Sequence, residues 1–235
     1  MEKLTLRGAA ADVQAVSRPA TTILLTLVAA VTFAVAIHAR QHSRVLREPR
    51  DLLTKQVEAA GPTFSPEVAP ADRQLVLRDI AGARPEARRL IDMVDGLVVF
   101  STGDTSADGA DTVGYTQFVG DHFDVRLNLA AVYQIDGERG TQRLILHELG
   151  HVVDAMLVKP DLATKLDAPI PVGYGCDPGT QSPIGCAPRA ERFAETFSKW
   201  CTGDIGVTLP LGYKVAPPPS LDDWGAELVS GVRAA

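Results

Sequence analysis

Beyond residue 61, the apolar positions follow the helical period in some segments and the strand period in others. This spacing predicts five helices, over 70–83, from Pro85 to near Gly96, over 141–158, over 189–200 and over 221–229. A short apolar run and a longer alternating run predict two strands, over 97–100 and 123–129. The order of helices, strands and helices predicts an α+β domain with a small mixed β-sheet over 62–235.

The connecting segments are recognised by their composition. Residues 101–114 are rich in Gly, Asp and Ser, which predicts a loop. Residues 160–187 are rich in Pro, Gly and Cys and are predicted to be irregular. Three prolines lead into Ser220, which is predicted to cap the last helix.

An uncharged stretch of apolar and small side chains runs over 20–37, close to the shortest length that spans a hydrocarbon core of roughly 30 Å. Because basic residues precede it, 1–19 is interpreted as an n-region and 20–38 as a transmembrane signal anchor or a signal peptide. The sequence Ala-Val-Ala at 34–36 offers a cleavage site, whereas the long n-region favours an uncleaved anchor.

An Arg-rich stretch over 39–61 is interpreted as a tether between this segment and the domain. Basic residues flank the apolar stretch on both sides, so their distribution does not fix the orientation. We expect the domain over 62–235 to lie outside the cytoplasm, either attached to the membrane through the N-terminal segment or secreted.

Charge and composition narrow the choice of partners. The formal net charge is −6 and the isoelectric point is near 5.4, which argues against a nucleic-acid partner. The 46% hydrophobic content excludes a wholly disordered chain. Nothing in the pattern indicates an oligomeric state.

Cysteine usage gives weak support to an extracytoplasmic location. Cys176 and Cys186 enclose a loop rich in Pro and Gly that a disulfide would close easily. Cys201 would then be the unpaired thiol, although a bond between Cys186 and Cys201 and three reduced cysteines are the alternatives.

The predicted helix over 141–158 contains the sequence His147-Glu148-Leu149-Gly150-His151. Residues four apart share one helical face, so the two imidazoles can bind the same ion. Imidazole nitrogen is a good zinc ligand, and the intervening Glu148 is placed to act as general base on a water molecule. This motif predicts a catalytic Zn²⁺ site with His147 and His151 as ligands.

A catalytic zinc needs a third protein ligand, and the helix predicted over 189–200 offers two. Glu191 and Glu195 lie four residues apart on one face of that helix, about 40 residues after His151. The spacing alone does not choose between them.

The segments HELGHVVD, from His147 to Asp154, and ERFAETF, from Glu191 to Phe197, resemble the active-site helices of the anthrax lethal factor family and the related Pro-Pro endopeptidases. The resemblance implies a zincin-like fold of the gluzincin type with Glu191 as the third zinc ligand. It also implies that Glu195 and Asp154 lie outside the ligand set, with Glu195 holding a ligand histidine.

One departure from the family concerns the oxyanion. Those peptidases carry a tyrosine shortly before the glutamate helix, but this chain has Ile184 seven residues before Glu191. Tyr174 is therefore the candidate oxyanion donor, and Tyr213 and His122 are weaker candidates.

The resemblance implies a zinc endopeptidase that acts on a peptide or protein substrate. In such enzymes an edge strand pairs with the extended substrate, and the strand predicted over 123–129 is the candidate here. The alternatives are a zinc-containing but inactive envelope binding protein and an amidase acting on cell-wall peptides.

Overall fold

We describe a computed structural model of the chain over residues 61–105, 112–172, 187–206 and 214–233. Within these ranges, six α-helices and one small sheet form an α+β fold, as the order of elements predicted. The predicted membrane segment over 20–38 lies outside the described residues. Among the residues that are described, no helix has the length and apolar character required to cross a membrane.

The sheet has four strands, β1 (Thr63–Phe64), β2 (Val98–Thr102), β3 (Gly114–Val119) and β4 (His122–Leu127). Their spatial order is β1-β2-β4-β3. The pairs β1–β2 and β2–β4 are parallel, whereas β3 runs antiparallel to β4. The sheet is therefore mixed, with β3 at one edge and β4 in the interior.

Three helices begin at a proline, which suits the first helical turn because its missing N–H needs no partner there. They are α1 (Pro70–Ala81), α2 (Pro85–Asp92) and α4 (Pro160–Asp167). A single 3-10 turn, Asp95–Leu97, joins α2 to β2. The helix α4 corrects the prediction that 160–187 is irregular, since the turn residues Pro160 and Asp161 start a helix here rather than a loop.

The longest helix, α3 (Leu129–Leu157), extends further towards the N-terminus than predicted. The side chain of Asn128 caps it by accepting a hydrogen bond from the N–H of Ala131 at 3.1 Å. Gly137 interrupts the helix with φ 62°, a value that glycine adopts without strain. Gly137 is thus a kink between two helical segments.

The remaining helices are α5 (Arg189–Thr202) and α6 (Leu221–Arg233). The hydroxyl of Ser220 accepts a hydrogen bond from the N–H of Asp223 at 3.1 Å, which confirms Ser220 as the N-terminal cap of α6. The core lies between the sheet and α3 and continues between α3 and α5. Its largest fully buried side chains are aromatic and aliphatic, among them Phe100, Phe123, Phe193, Phe197 and Trp200.

The helices α3 and α5 approach closely at Gly150. A Cβ atom at this position would lie 3.0 Å from the Cα of Ala194 and 3.3 Å from the Cβ of Phe197. Real Cβ atoms seldom make contacts this short, so glycine favours the close approach of the two backbones. This contact places the polar residues of α5 opposite those of α3.

Candidate metal centre

The helix α3 presents two histidines from adjacent turns on one face. The Nε2 atoms of His147 and His151 lie 3.2 Å apart, and their rings meet nearly edge to face. This arrangement follows from the spacing of four residues, which is close to one helical turn.

The helix α5 adds a carboxylate to this pair. The Oε2 atom of Glu191 lies 3.1 Å from Nε2 of His147 and 3.4 Å from Nε2 of His151. We call His147, His151 and Glu191 the His-Glu cluster. Its three atoms form a nearly equilateral triangle that could hold a metal ion.

The size of this triangle is a test of which ion it fits. Ligands at ~2.0–2.1 Å in a tetrahedral zinc site are separated from one another by about 3.3 Å. The three distances in the cluster are 3.1, 3.2 and 3.4 Å. Two imidazole nitrogens and one carboxylate oxygen therefore match the donor set and spacing of a site with one open position.

Strong electrostatic attraction connects the three residues of the His-Glu cluster. Burial opposes the charged form of His147, but the hydrogen bond and charge of Glu191, followed by the charges of Glu195 and Glu148, raise the pKa of His147 to about 9. Burial likewise opposes the ionised form of Glu191, yet the two histidines hold the pKa of Glu191 far below its usual range. The cluster thus pairs an ionised Glu191 with a His147 that holds its proton tightly, and a divalent cation that bound here would have to displace that proton.

Glu195 lies one turn further along α5 and contacts the other side of the first imidazole. Its Oε1 atom is 3.6 Å from Nδ1 of His147, the ring nitrogen outside the cluster. Its Oε2 atom accepts hydrogen bonds from Arg143 at 2.6 Å and from Lys199 at 2.7 Å. Both cations are buried, and Lys199 is only 1% exposed.

The electrostatics of this arrangement keep Glu195 ionised. Burial alone would raise its pKa, but the charges of His147, Lys199 and Arg143 lower the pKa below the usual value. An ionised Glu195 favours the tautomer of His147 that carries its proton on Nδ1. In that tautomer Nε2 has a free lone pair directed at the cluster.

Glu148 follows His147 and is 3% exposed. Burial raises its pKa above the ordinary value, against the lowering effect of the two histidines and of a hydrogen bond from Thr116. The hydroxyl of Thr116 on β3 lies 2.8 Å from Oε2 of Glu148. Glu148 is therefore a buried carboxylate fixed beside the cluster but not part of it.

Asp154 lies outside the cluster and joins the two helices at another point. Its carboxylate receives two hydrogen bonds from the guanidinium of Arg189, one of them at 2.9 Å. Arg189 is the first residue of α5, so this ion pair fixes the start of the helix that carries Glu191.

The candidate oxyanion donors Tyr174 and Tyr213 and the candidate disulfide residues Cys176 and Cys186 lie outside the described part of the chain. The predicted disulfide and the predicted oxyanion donor therefore remain predictions. Cys201 is a free thiol, buried in the core, and burial raises its pKa. The alternative bond between Cys186 and Cys201 also stays a prediction, because Cys186 lies outside the described residues.

The prediction that the strand over 123–129 is the edge strand was wrong, because β4 lies between β2 and β3. The edge beside Glu148 is β3, which the sequence pattern did not predict. His122 lies at the start of β4, where its ring contacts Asp121 at 3.2 Å.

Sequence reasoning missed four further residues around the site: Gly114, Thr116, Arg143 and Lys199. A Cβ atom on Gly114 would lie 2.9 Å from Oε1 of Glu148, so this glycine borders the carboxylate directly. Arg143 does lie one helical turn before His147, and Lys199 one turn after Glu195, which is the one signal that could have indicated them.

Comparisons with models of known protein families, with curated proteins and with solved structures found no match to this chain. The function proposed below is inferred from the His-Glu cluster and its surroundings.

Proposed function

We propose that this protein is a zinc-dependent endopeptidase of the gluzincin type with a zincin-like arrangement of helices and sheet. His147, His151 and Glu191 would hold one Zn²⁺ ion. The observation that carries the proposal is the triangle of ligand atoms at 3.1–3.4 Å with the carboxylate of Glu148 beside it. A site that only bound a metal would have no use for a further, separately buried carboxylate at this place.

Zinc at this site would supply a Lewis acid that polarises a carbonyl group and lowers the pKa of a bound water molecule. Glu148 would accept the proton from the attacking water and later donate it to the leaving amine. Its raised pKa favours this exchange, because a carboxylate that is easier to protonate is a better base near neutral pH.

Glu195 would orient His147 through its negative charge, which lies 3.6 Å from Nδ1, and the contacts of Arg143 and Lys199 would keep that carboxylate in place. Asp154 would act at a greater distance, through its ion pair with Arg189. Tyr174 remains the proposed donor to the oxyanion of the tetrahedral intermediate.

An extended peptide would bind along β3 rather than along β4. Two observations support β3: it is an edge of the described sheet, and its residue Thr116 contacts Glu148. Backbone pairing along an edge strand accepts many sequences, so side-chain pockets would determine the substrate. We further propose that the domain acts outside the cytoplasm and is attached to the membrane through residues 20–38 or secreted.

The experiment that tests this function uses the full chain, loaded with zinc and mixed with a diverse peptide library. We expect internal peptide bonds to be cleaved by the wild type and not detectably by Glu148→Gln at equal zinc content. Glu138→Gln is the matched control, because Glu138 is an exposed residue on the same helix. Zinc-loaded wild-type protein that cleaves no peptide would contradict the proposal.

A further inference from the structure

The hydroxyl of Thr116 makes a close contact with the proposed general base. Its Oγ1 atom lies 2.8 Å from Oε2 of Glu148 and 3.1 Å from the main-chain oxygen of the same residue. The hydroxyl has a single hydrogen to donate, and the shorter distance assigns it to the carboxylate. Thr116 therefore restrains the rotation of the Glu148 side chain.

Gly114 restrains the same carboxylate from a second direction. It lies two residues before Thr116 on the same face of β3, and a Cβ atom there would approach Oε1 of Glu148 to 2.9 Å and Cδ1 of Leu144 to 2.8 Å. One carboxylate oxygen thus packs on a glycine and the other accepts a hydrogen bond from a threonine. The strand β3 thus leaves room for the carboxylate of Glu148 at Gly114 and binds it through the hydroxyl of Thr116.

The backbone of these two residues faces the open side of the strand. The N–H of Asn128 donates to the carbonyl of Val113 at 2.8 Å, which identifies this pair as hydrogen-bonded. Hydrogen-bonded pairs alternate along an antiparallel ladder, so Gly114, Thr116 and Phe118 direct their N–H and C=O groups away from β4. Among the described residues, no strand occupies that side of β3.

Thr116 therefore has two functions within one residue. Its main chain is available to pair with an extended peptide, and its side chain holds Glu148. We infer that Thr116 is a positioning residue that fixes the Glu148 carboxylate against the strand on which the substrate lies. This inference rests on the proposed peptidase function and adds to it the residue that aligns base and substrate.

The structure suggests a sharp set of variants. Thr116→Val keeps the β-branched shape that suits a strand and removes the hydroxyl, whereas Thr116→Ser keeps the hydroxyl. Thr63 is a matched control, because it is also a strand threonine whose hydroxyl donates a hydrogen bond, here to the carbonyl of Val98 at 2.9 Å. Thr63→Val removes an equivalent bond far along the sheet from Glu148.

Peptide cleavage by the zinc-loaded full chain gives the first readout. We expect Thr116→Val to lower kcat about 10- to 100-fold with KM within about twofold, because a misaligned catalytic group is costly while strand pairing is retained. Thr116→Ser should recover most of the rate, and Thr63→Val should match the wild type. Zinc content should be equal in all four proteins. A Thr116→Val enzyme with wild-type kcat would overturn the inference, and so would one that has lost its zinc.

A second readout needs no turnover. A hydroxamate binds zinc and also contacts the neighbouring carboxylate, whereas a small thiol binds the metal alone. We expect Thr116→Val to weaken binding of acetohydroxamate about 10-fold and to leave binding of 2-mercaptoethanol unchanged. Equal weakening of both ligands, or of neither, would overturn the inference.

The two readouts separate failure of this inference from failure of the proposed function. If the wild type cleaves no peptide but acetohydroxamate binding still depends on Thr116, the peptidase proposal fails and the placement of Glu148 by Thr116 stands. If peptides are cleaved and Thr116→Val behaves as wild type in both assays, the function stands and the inference fails.

Discussion

Glu195 connects the candidate metal centre to a group of buried charges. One of its oxygens faces Nδ1 of His147 at 3.6 Å, and the other accepts hydrogen bonds from Arg143 and Lys199. A buried carboxylate with two cationic partners is fixed more firmly than one with a single partner, because each hydrogen bond removes a rotational freedom. The orientation of His147 is thus determined by residues that do not approach the cluster themselves.

This geometry makes a prediction for Glu195→Gln. The amide cannot carry the negative charge that favours the Nδ1 proton of His147, so we expect zinc affinity to fall about 10- to 100-fold. The measurement is competition for zinc with a chelator of known affinity. Glu138→Gln should keep the wild-type affinity. The assignment of ligands would be reversed if Glu195→Gln lost zinc completely while Glu191→Gln stayed loaded.

The sequence predicted some residues of the candidate metal centre and missed others, and each outcome has a physical reason. The spacing of His147 and His151 is fixed by the helix, so one motif suffices to place them together. Glu191 and Glu195 also share one face of α5 and lie one helical turn apart. One carboxylate lies near Nε2 of His147 and the other near Nδ1. The spacing in the sequence does not show which carboxylate lies at which ring nitrogen. From the sequence alone, Lys199 resembles a solvent-exposed lysine, because its burial depends on elements that are distant in the sequence.

At the level of elements, the contact between α3 and α5 decides whether the ligands meet. Gly150 allows the close approach, since a side chain there would press on the Cα of Ala194 and on Phe197. Glu191 and Glu195 flank Ala194 along the chain, so a displacement of α5 at this point moves both carboxylates away from the histidines.

We therefore expect Gly150→Ala to destabilise the protein and to weaken zinc binding. Alanine gains about 1 kcal/mol of helix propensity over glycine, but overpacking two helix backbones costs typically 1–3 kcal/mol. A net loss of about 1 kcal/mol in the free energy of unfolding should appear in chemical denaturation, together with a weaker zinc affinity in the chelator competition. A variant that is more stable than wild type and binds zinc equally well would show that the helices are not in close contact here.

The period of apolar residues along a strand does not show whether that strand lies at the edge of the sheet. The alternating pattern in β4 arises because one face of the strand is buried and the other is not, which holds for interior strands as well as edges. The strand β3 lacks a clear alternation, with a glycine at its start and partly buried residues on both faces. Which strand lies at the edge depends on the antiparallel return from β3 to β4, and this is a property of the sheet rather than of either segment.

For the whole molecule, the order of elements was enough to predict the α+β class, because local periods and turn residues agree with the tertiary structure over most of the described chain. The detailed site was not predictable to the same degree. Its surrounding residues come from β3, α3 and α5, which are distant in sequence and meet only through packing. The charged groups at their junction, Glu148, Glu195, Arg143 and Lys199, are all buried.

Binding of zinc to the His-Glu cluster would raise the stability of the whole folded protein. A ligand that binds only the folded state stabilises it by mass action, about 2.7 kcal/mol at 100 times its Kd. For a chain of this size that corresponds to a rise in Tm of about 5–10 °C on addition of zinc, with reversal by a chelator. Zinc must also displace the proton that the metal-free protein holds on His147, whose pKa is raised to about 9. That proton is bound more fully as the pH falls, so the rise in Tm should be larger at pH 8 than at pH 6. Thermal unfolding of the full chain with and without zinc measures both effects.

His151→Ala should abolish the rise in Tm on addition of zinc, whereas His122→Ala, a change at a histidine outside the cluster, should preserve it. A Tm that does not respond to zinc at either pH would refute the metal centre, and with it the chemistry proposed for Glu148.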